Sequence, residues 1–112
     1  MTLITADNGA TRVVTVQDER IDAALAIRFK DDMRAATNGG PERVVLDLSQ
    51  VAFIDSSGLG AIVASMKQLD PARKLDLAGL TPNVEKVFRL TRMDTIFTLY
   101  PTLEKALGAP AD

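Results

Sequence analysis

Asp55-Ser56-Ser57-Gly58-Leu59-Gly60 holds the only concentrated chemistry in this sequence. A carboxylate, two hydroxyls and two glycines follow the apolar run Val51-Ala52-Phe53-Ile54. They precede Ala61-Ile62-Val63-Ala64-Ser65-Met66, where apolar residues resume at a helical period. The change of period reads as a strand, a tight turn and then a helix. A serine at the mouth of a helix has two uses. Its hydroxyl can accept from a free N–H of the first turn, a cap contributing about 1 kcal/mol, and either Ser56 or Ser57 fits that role. It can instead be phosphorylated. A phosphate there faces free N–H groups and the positive end of the helix dipole, so the fold tolerates it. A partner lying over the small residues Gly60, Ala61 and Ala64 would then meet added bulk and roughly −1.5 to −2 units of charge. The plainer use of those small residues is tight packing on the sheet.

Catalytic readings fare worse. No glycine stands two places before either serine, so this is not a G-x-S-x-G nucleophile elbow, and no His exists to activate a hydroxyl. Gly58-x-Gly60 lacks the third glycine of a dinucleotide loop. The chain has no Cys and no His, which removes thiol nucleophiles, zinc–thiolate sites, disulfides and the commonest general base. A non-enzyme without metal or cofactor is expected. Asp55 at a strand end also suits the phospho-acceptor of a receiver domain. A receiver needs a further acidic pair after its first strand and a lysine near its last. Asp18-Glu19 is the only candidate pair and falls in a charged turn, and Thr95 to Tyr100 contains no lysine.

The elements that must hold this turn can be read in order. Leu3 to Asp7 and Thr11 to Val16 are β-like runs around Asn8-Gly9, a hairpin signal. After the charged Gln17-Asp18-Glu19-Arg20, Asp22 suits an N-cap. Leu25, Phe29 and Met33 then recur at i+4 on an amphipathic helix that Asn38-Gly39-Gly40-Pro41 ends. Val44 to Leu48 has the mostly apolar pattern of a strand covered on both faces. Leu59, Ile62, Val63, Met66 and Leu69 form the inward stripe of the helix after the turn. Lys74 to Ala78 reads as a strand, and Thr81-Pro82 as a cap with proline at the first helical position. Val84, Val87 and Phe88 face inward on that helix. Thr95 to Leu99 reads as a last strand, and Pro101 to Leu107 as a last helix closed by Gly108. The order is β-β-α-β-α-β-α-β-α, an α/β domain with an N-terminal hairpin and an otherwise largely parallel sheet. Its 112 residues, 46% apolar and 25% charged, make one folded domain over residues 1–108, with a frayed tail at 109–112. A net charge of −2 argues against general nucleic-acid binding. No run approaches the roughly 20 apolar residues of a membrane span, so a cytoplasmic protein is expected. No stripe demands a self-partner, and a monomer is expected.

Phe53-Ile54-Asp55-Ser56-Ser57-Gly58-Leu59-Gly60 resembles the phosphorylation-site motif of bacterial anti-sigma factor antagonists, which are STAS domains. The likeness extends over nearly the whole chain. Val44 to Leu48 resembles the strand leading into the motif, Leu80 to Phe88 the third-helix segment, and Tyr100 to Leu107 the C-terminal helix. The resemblance implies a single STAS-type domain, its mixed, mostly parallel sheet carrying helices largely on one face. It implies that the protein binds an anti-sigma factor that is also a serine kinase, and so frees a sigma factor. The kinase would phosphorylate Ser56 and release the antagonist, and a PP2C-type phosphatase would restore it. ATP and Mg²⁺ would belong to the kinase. Asp55, Ser57, Gly58, Leu59 and Gly60 would lie in the partner contact. Asp22 matches an aspartate, in the loop before the first helix, that contacts the kinase in relatives. Two positions depart from the pattern: Glu19 and Arg92 stand where relatives often carry glycine. The alternative within the family is a STAS module of a transporter or stress-signalling assembly, without sigma-factor control.

Overall fold

The structure, a computed structural model, describes residues 3–108. The expected tail at 109–112 lies outside them. Strands β1 (Leu3–Asn8) and β2 (Thr11–Val16) pair antiparallel from Leu3↔Val16 to Asn8↔Thr11. The connection between them needs Gly9, whose φ of 61° suits a residue without Cβ. Helix α1 (Ala23–Thr37) then crosses to β4 (Arg43–Asp47), α2 (Ser56–Gln68) to β6 (Lys74–Ala78), and α3 (Pro82–Leu90) to β7 (Leu99–Tyr100). Helix α4 (Leu103–Gly108) closes the described chain. Every crossover returns the chain in the same direction, so β2, β4, β6 and β7 are parallel and the sheet order is β1-β2-β4-β6-β7. The expected element order therefore holds for the sheet and its helices.

Alternation along the strands divides two layers of core. Val14, Val16, Val44, Leu46, Leu75 and Leu77 share one cluster with Phe29, Met33, Ile62 and Phe88 from α1, α2 and α3. The opposite face is thinner, with Val45 and Ala78 packing on Ala106 of α4. All five residues of β4 are buried, as expected for a strand covered on both sides. The same thin face buries Arg43 and Asp76, whose Nε–Oδ2 hydrogen bond is 3.0 Å.

Three expectations need correction. The run Val51 to Ile54 does not enter the main sheet. Only β5 (Phe53–Ile54) is extended, and it pairs in parallel with β3 (Arg20–Ile21), drawn from the supposed charged turn. Val51 and Ile54 are core residues, whereas Phe53 faces outward. The last strand does not begin at Thr95. Met93–Thr95 forms one turn of 3-10 helix, and the strand is reduced to Leu99–Tyr100. The turn sets Phe97 edge-on to Phe88, ring centroids 6.1 Å apart, and aromatic burial outweighs the four expected strand residues, 95–98, that the sheet gives up. Thr81 does not cap α3 with its side chain; its hydroxyl donates to the Val51 carbonyl at 2.8 Å and ties the α3 start to the segment before β5.

Candidate functional site

The β3–β5 ribbon exists to present two helix starts side by side. Backbone N–H groups of Ala52 and Phe53 donate to the Glu19 carbonyl at 2.7 and 3.1 Å, and Asp55 N–H donates to the Ile21 carbonyl at 3.4 Å. Glu19 thus serves through its backbone. Its φ is not positive, so this turn does not require the glycine that relatives often carry. Ile21 leads into Asp22, the N-cap of α1, whose side chain accepts from Ala24 N–H at 3.1 Å. Ile54 leads into Asp55, the N-cap of α2.

Asp55 overturns the capping role expected of Ser56 or Ser57. Its Oδ1 accepts from Gly58 N–H at 2.9 Å and its Oδ2 from Ala23 N–H at 3.2 Å. One carboxylate therefore satisfies a first-turn donor on each of two helices. Both oxygens are engaged, which leaves Asp55 poorly suited to accept a phosphoryl group as in a receiver. Ser56 and Ser57 become the first two residues of α2 and are exposed. Their hydroxyls are released from any capping task and stand at the positive end of the helix dipole.

The rest of the motif divides by burial. Gly58 is buried against the Ile21 carbonyl and Ile54. Leu59 is half-buried against the main core. Gly60 is exposed, with open space where a side chain would be. The supposed small-residue stripe is split: Ala61 is buried, Ala64 half-buried and Gly60 free.

Two apolar side chains escaped the sequence reading. Ile27, one turn beyond Ala23 on α1, is 72% exposed, and Phe53 is 43% exposed under the Arg20 guanidinium, 4.6 Å from its ring centre. Arg20 also lies 3.5 Å from Asp22. Composition gives no signal for such residues, because an isoleucine or phenylalanine is ordinarily assigned inward. The only hint was that Ile27 lies off the Leu25-Phe29-Met33 stripe.

This arrangement of ribbon, capped helix and exposed serine defines the class. The chain belongs to the STAS domain family, whose sequence pattern matches residues 3–106. Several of its relatives are named as anti-sigma factor antagonists. An anti-sigma factor antagonist from Mycobacterium paratuberculosis, known from its crystal structure, is 32% identical with a TM-score of 0.87 and is aligned over 99% of this chain and 94% of its own. The anti-sigma-F factor antagonist RsfB of Mycobacterium tuberculosis is 26% identical over 107 residues, 96% of this chain and 87% of the relative. A sulfate transporter family protein from Wolinella succinogenes shares the fold, with a TM-score of 0.75 over 88% of this chain and 83% of its own, at only 16% identity. No helix among the described residues is long and apolar enough to cross a membrane.

Proposed function

We propose that this protein is a cytoplasmic, monomeric anti-sigma factor antagonist that works by partner switching, with Ser56 as the switch. The observation that supports this is the capping of α2 by Asp55, which leaves the exposed Ser56 hydroxyl with no structural task. Unphosphorylated, the chain docks on an anti-sigma factor serine kinase and frees the sigma factor. Ile27 and Phe53 are the apolar anchors beside the serine, Asp22, Asp55, Ser57 and Leu59 frame it, and Gly60 keeps the surface low. In the complex the kinase transfers the γ-phosphoryl group of its ATP to Ser56 Oγ. The hydroxyl proton is lost and ADP leaves. The chain itself is a substrate and binding partner rather than an enzyme.

The product is tolerated by the fold and rejected by the partner. The new phosphate sits over the first-turn N–H groups of α2. It also stands beside the carboxylates of Asp22 and Asp55, so the docking face becomes strongly acidic and costly to desolvate. A PP2C-type phosphatase returns the serine and inorganic phosphate by hydrolysis.

The test is incubation with the anti-sigma factor kinase from the same cells and ATP, followed by peptide mass spectrometry. One phosphate on Ser56, absent from Ser56→Ala and retained in Ser57→Ala, is expected. Phosphate on Ser57 alone would move the switch by one residue. No phosphate, together with recovery of a transporter subunit in pull-downs, would replace this reading with the transporter module.

A further inference from the structure

Helix α3 carries a second surface that the core does not use. Pro82, Lys86 and Leu90 recur at four-residue spacing, and with Leu80, Glu85 and Arg89 they line an open groove of about 420 Å³. Leu90 is 73% exposed, and Ile96 beyond the helix is 48% exposed. Arg89 is held by Glu85 at 2.8 Å and Asp94 at 3.4 Å. Lys86 and Arg92 form no ion pair among the described residues, in a chain whose net charge is −2.

Arg92 adds an independent observation. Its φ of 61° and ψ of 23° place it in the left-handed region, and no other described non-glycine residue has positive φ. The turn is closed by Arg92 N–H donating to the Arg89 carbonyl at 3.2 Å and by the Thr95 hydroxyl donating to the Arg92 carbonyl at 2.6 Å, and the Arg92 side chain takes no part in it. Glycine enters this conformation without a Cβ clash, and arginine does not. The fold gains nothing visible from the side chain, which is exposed. The left-handed residue ends the helix, where glycine would serve at lower steric cost, so the arginine side chain sets an exposed cation two residues from the exposed Leu90.

We infer that this α3 face binds an acidic amphipathic helix of the anti-sigma factor, with Leu90 as its apolar anchor and Lys86 and Arg92 matching its carboxylates. The inference rests on the partner-switching reading above. The start of α3 is tied to the chain that leads into the serine turn: Thr81 bonds to Val51, just before β5, and α3 packs on β5 itself. On this inference one partner reaches from that turn along α3. The second contact gives affinity that the phosphate does not touch, so release requires the charge at Ser56 to outweigh it.

Calorimetric titration of the full chain with the anti-sigma factor tests this. Lys86→Glu and Leu90→Ser are each expected to weaken binding at least tenfold. Lys105→Glu, the same charge change on exposed α4 across the sheet, should leave the dissociation constant within twofold. Arg92→Gly should raise the melting temperature and yet weaken binding threefold or more, opposite signs that loss of fold cannot produce. If Lys86→Glu, Leu90→Ser and Arg92→Gly all bind like the wild type while Ser56→Asp does not bind, the α3 surface is refuted and the switch stands. If the wild type does not bind the anti-sigma factor, the switch reading itself falls and takes this inference with it.

Discussion

Gly58 lies against the carbonyl oxygen of Ile21 so closely that a Cβ on it would overlap that oxygen, and would press on Ile54 as well. The same carbonyl accepts from Asp55 N–H. This contact sets the first turn of α2 directly on the β3–β5 ribbon and so fixes where Ser56 stands. Gly60, two residues on, meets nothing. The two glycines of one motif thus have unrelated reasons: one is a backbone contact, the other a bare surface.

Substitution separates them. Gly58→Ala should destabilise the domain by about 3 kcal/mol, because the clash is with backbone that cannot swing aside. Gly60→Ala should stabilise by about 0.5–1 kcal/mol, since alanine is the better helix former and the space is open. Urea unfolding of both variants checks this. Equal effects would mean that α2 does not rest on Ile21 as described. Gly60→Ala should also weaken docking if the partner lies over this turn.

Asp55 should be worth more than an ordinary cap, because it serves two helices. Asp55→Ala is expected to cost about 2 kcal/mol, the upper end for an N-cap. Asp22→Ala, which removes a cap on one helix and an exposed pair with Arg20, should cost about 1 kcal/mol. Asp55→Asn keeps an acceptor oxygen for only one of Ala23 and Gly58 and should fall between. Amide hydrogen exchange locates the effect: Asp55→Ala should loosen the first turns of both α1 and α2, and Asp22→Ala only α1. Loss confined to α2 in the Asp55 variant would remove the bridging role.

Much of this arrangement was legible in the sequence because its causes are local. Alternation of periods gave the order of strands and helices, and Asp22 announced the start of α1 through its type and position. The Asp-Ser-Ser-Gly stretch marked the site. What was hidden depends on neighbours distant in the chain. That Asp55 caps α2 while reaching Ala23 follows from β3 pairing with β5, and two-residue strands leave no periodic trace. Thr95 to Leu99 alternates like a strand, yet Phe97 is claimed by Phe88. Arg92 keeps the end of α3 intact by adopting the left-handed conformation itself, which residue type alone argues against.

The N-terminal hairpin contributes a small acid-dependent term. Arg12 hydrogen-bonds Asp7 at 2.7 and 3.1 Å and holds its carboxyl below the usual aspartate range. A group with a lower pKa in the folded chain stabilises it above the unfolded value near 4. That stabilisation is lost as pH falls through the folded value. Asp7 is half exposed, so solvent screens the effect. Asp7→Asn should therefore lower stability slightly at pH 7, where the pair is lost, and flatten the decline below about pH 4, both effects being smaller in high salt. A steeper acid decline in the variant would contradict the assigned direction.

The thin face of the sheet depends on Arg43 and Asp76, an ion pair with side chains only 3% and 1% exposed. Arg43 Nη1 also donates to the Ala106 carbonyl at 2.8 Å, and its guanidinium lies 5.6 Å from the Tyr100 ring centre. The pair thereby fastens α4 to β4 and β6, where Val45, Ala78 and Ala106 supply little apolar area. Arg43→Met strands a buried carboxylate and frees the end of α4, so a loss of about 3–5 kcal/mol is expected. Lys74, 3.7 Å from the other Asp76 oxygen and half exposed, can compensate only at the rim. Arg43→Met combined with Asp76→Leu removes the buried charge altogether and should recover most of that loss, because well-packed apolar replacements of buried pairs are often neutral. What it should not recover is the anchoring of α4, so hydrogen exchange at 103–108 should stay fast while the sheet regains protection. A double variant as unstable as Arg43→Met would place the stabilisation in the Ala106 hydrogen bond rather than in the charge pair.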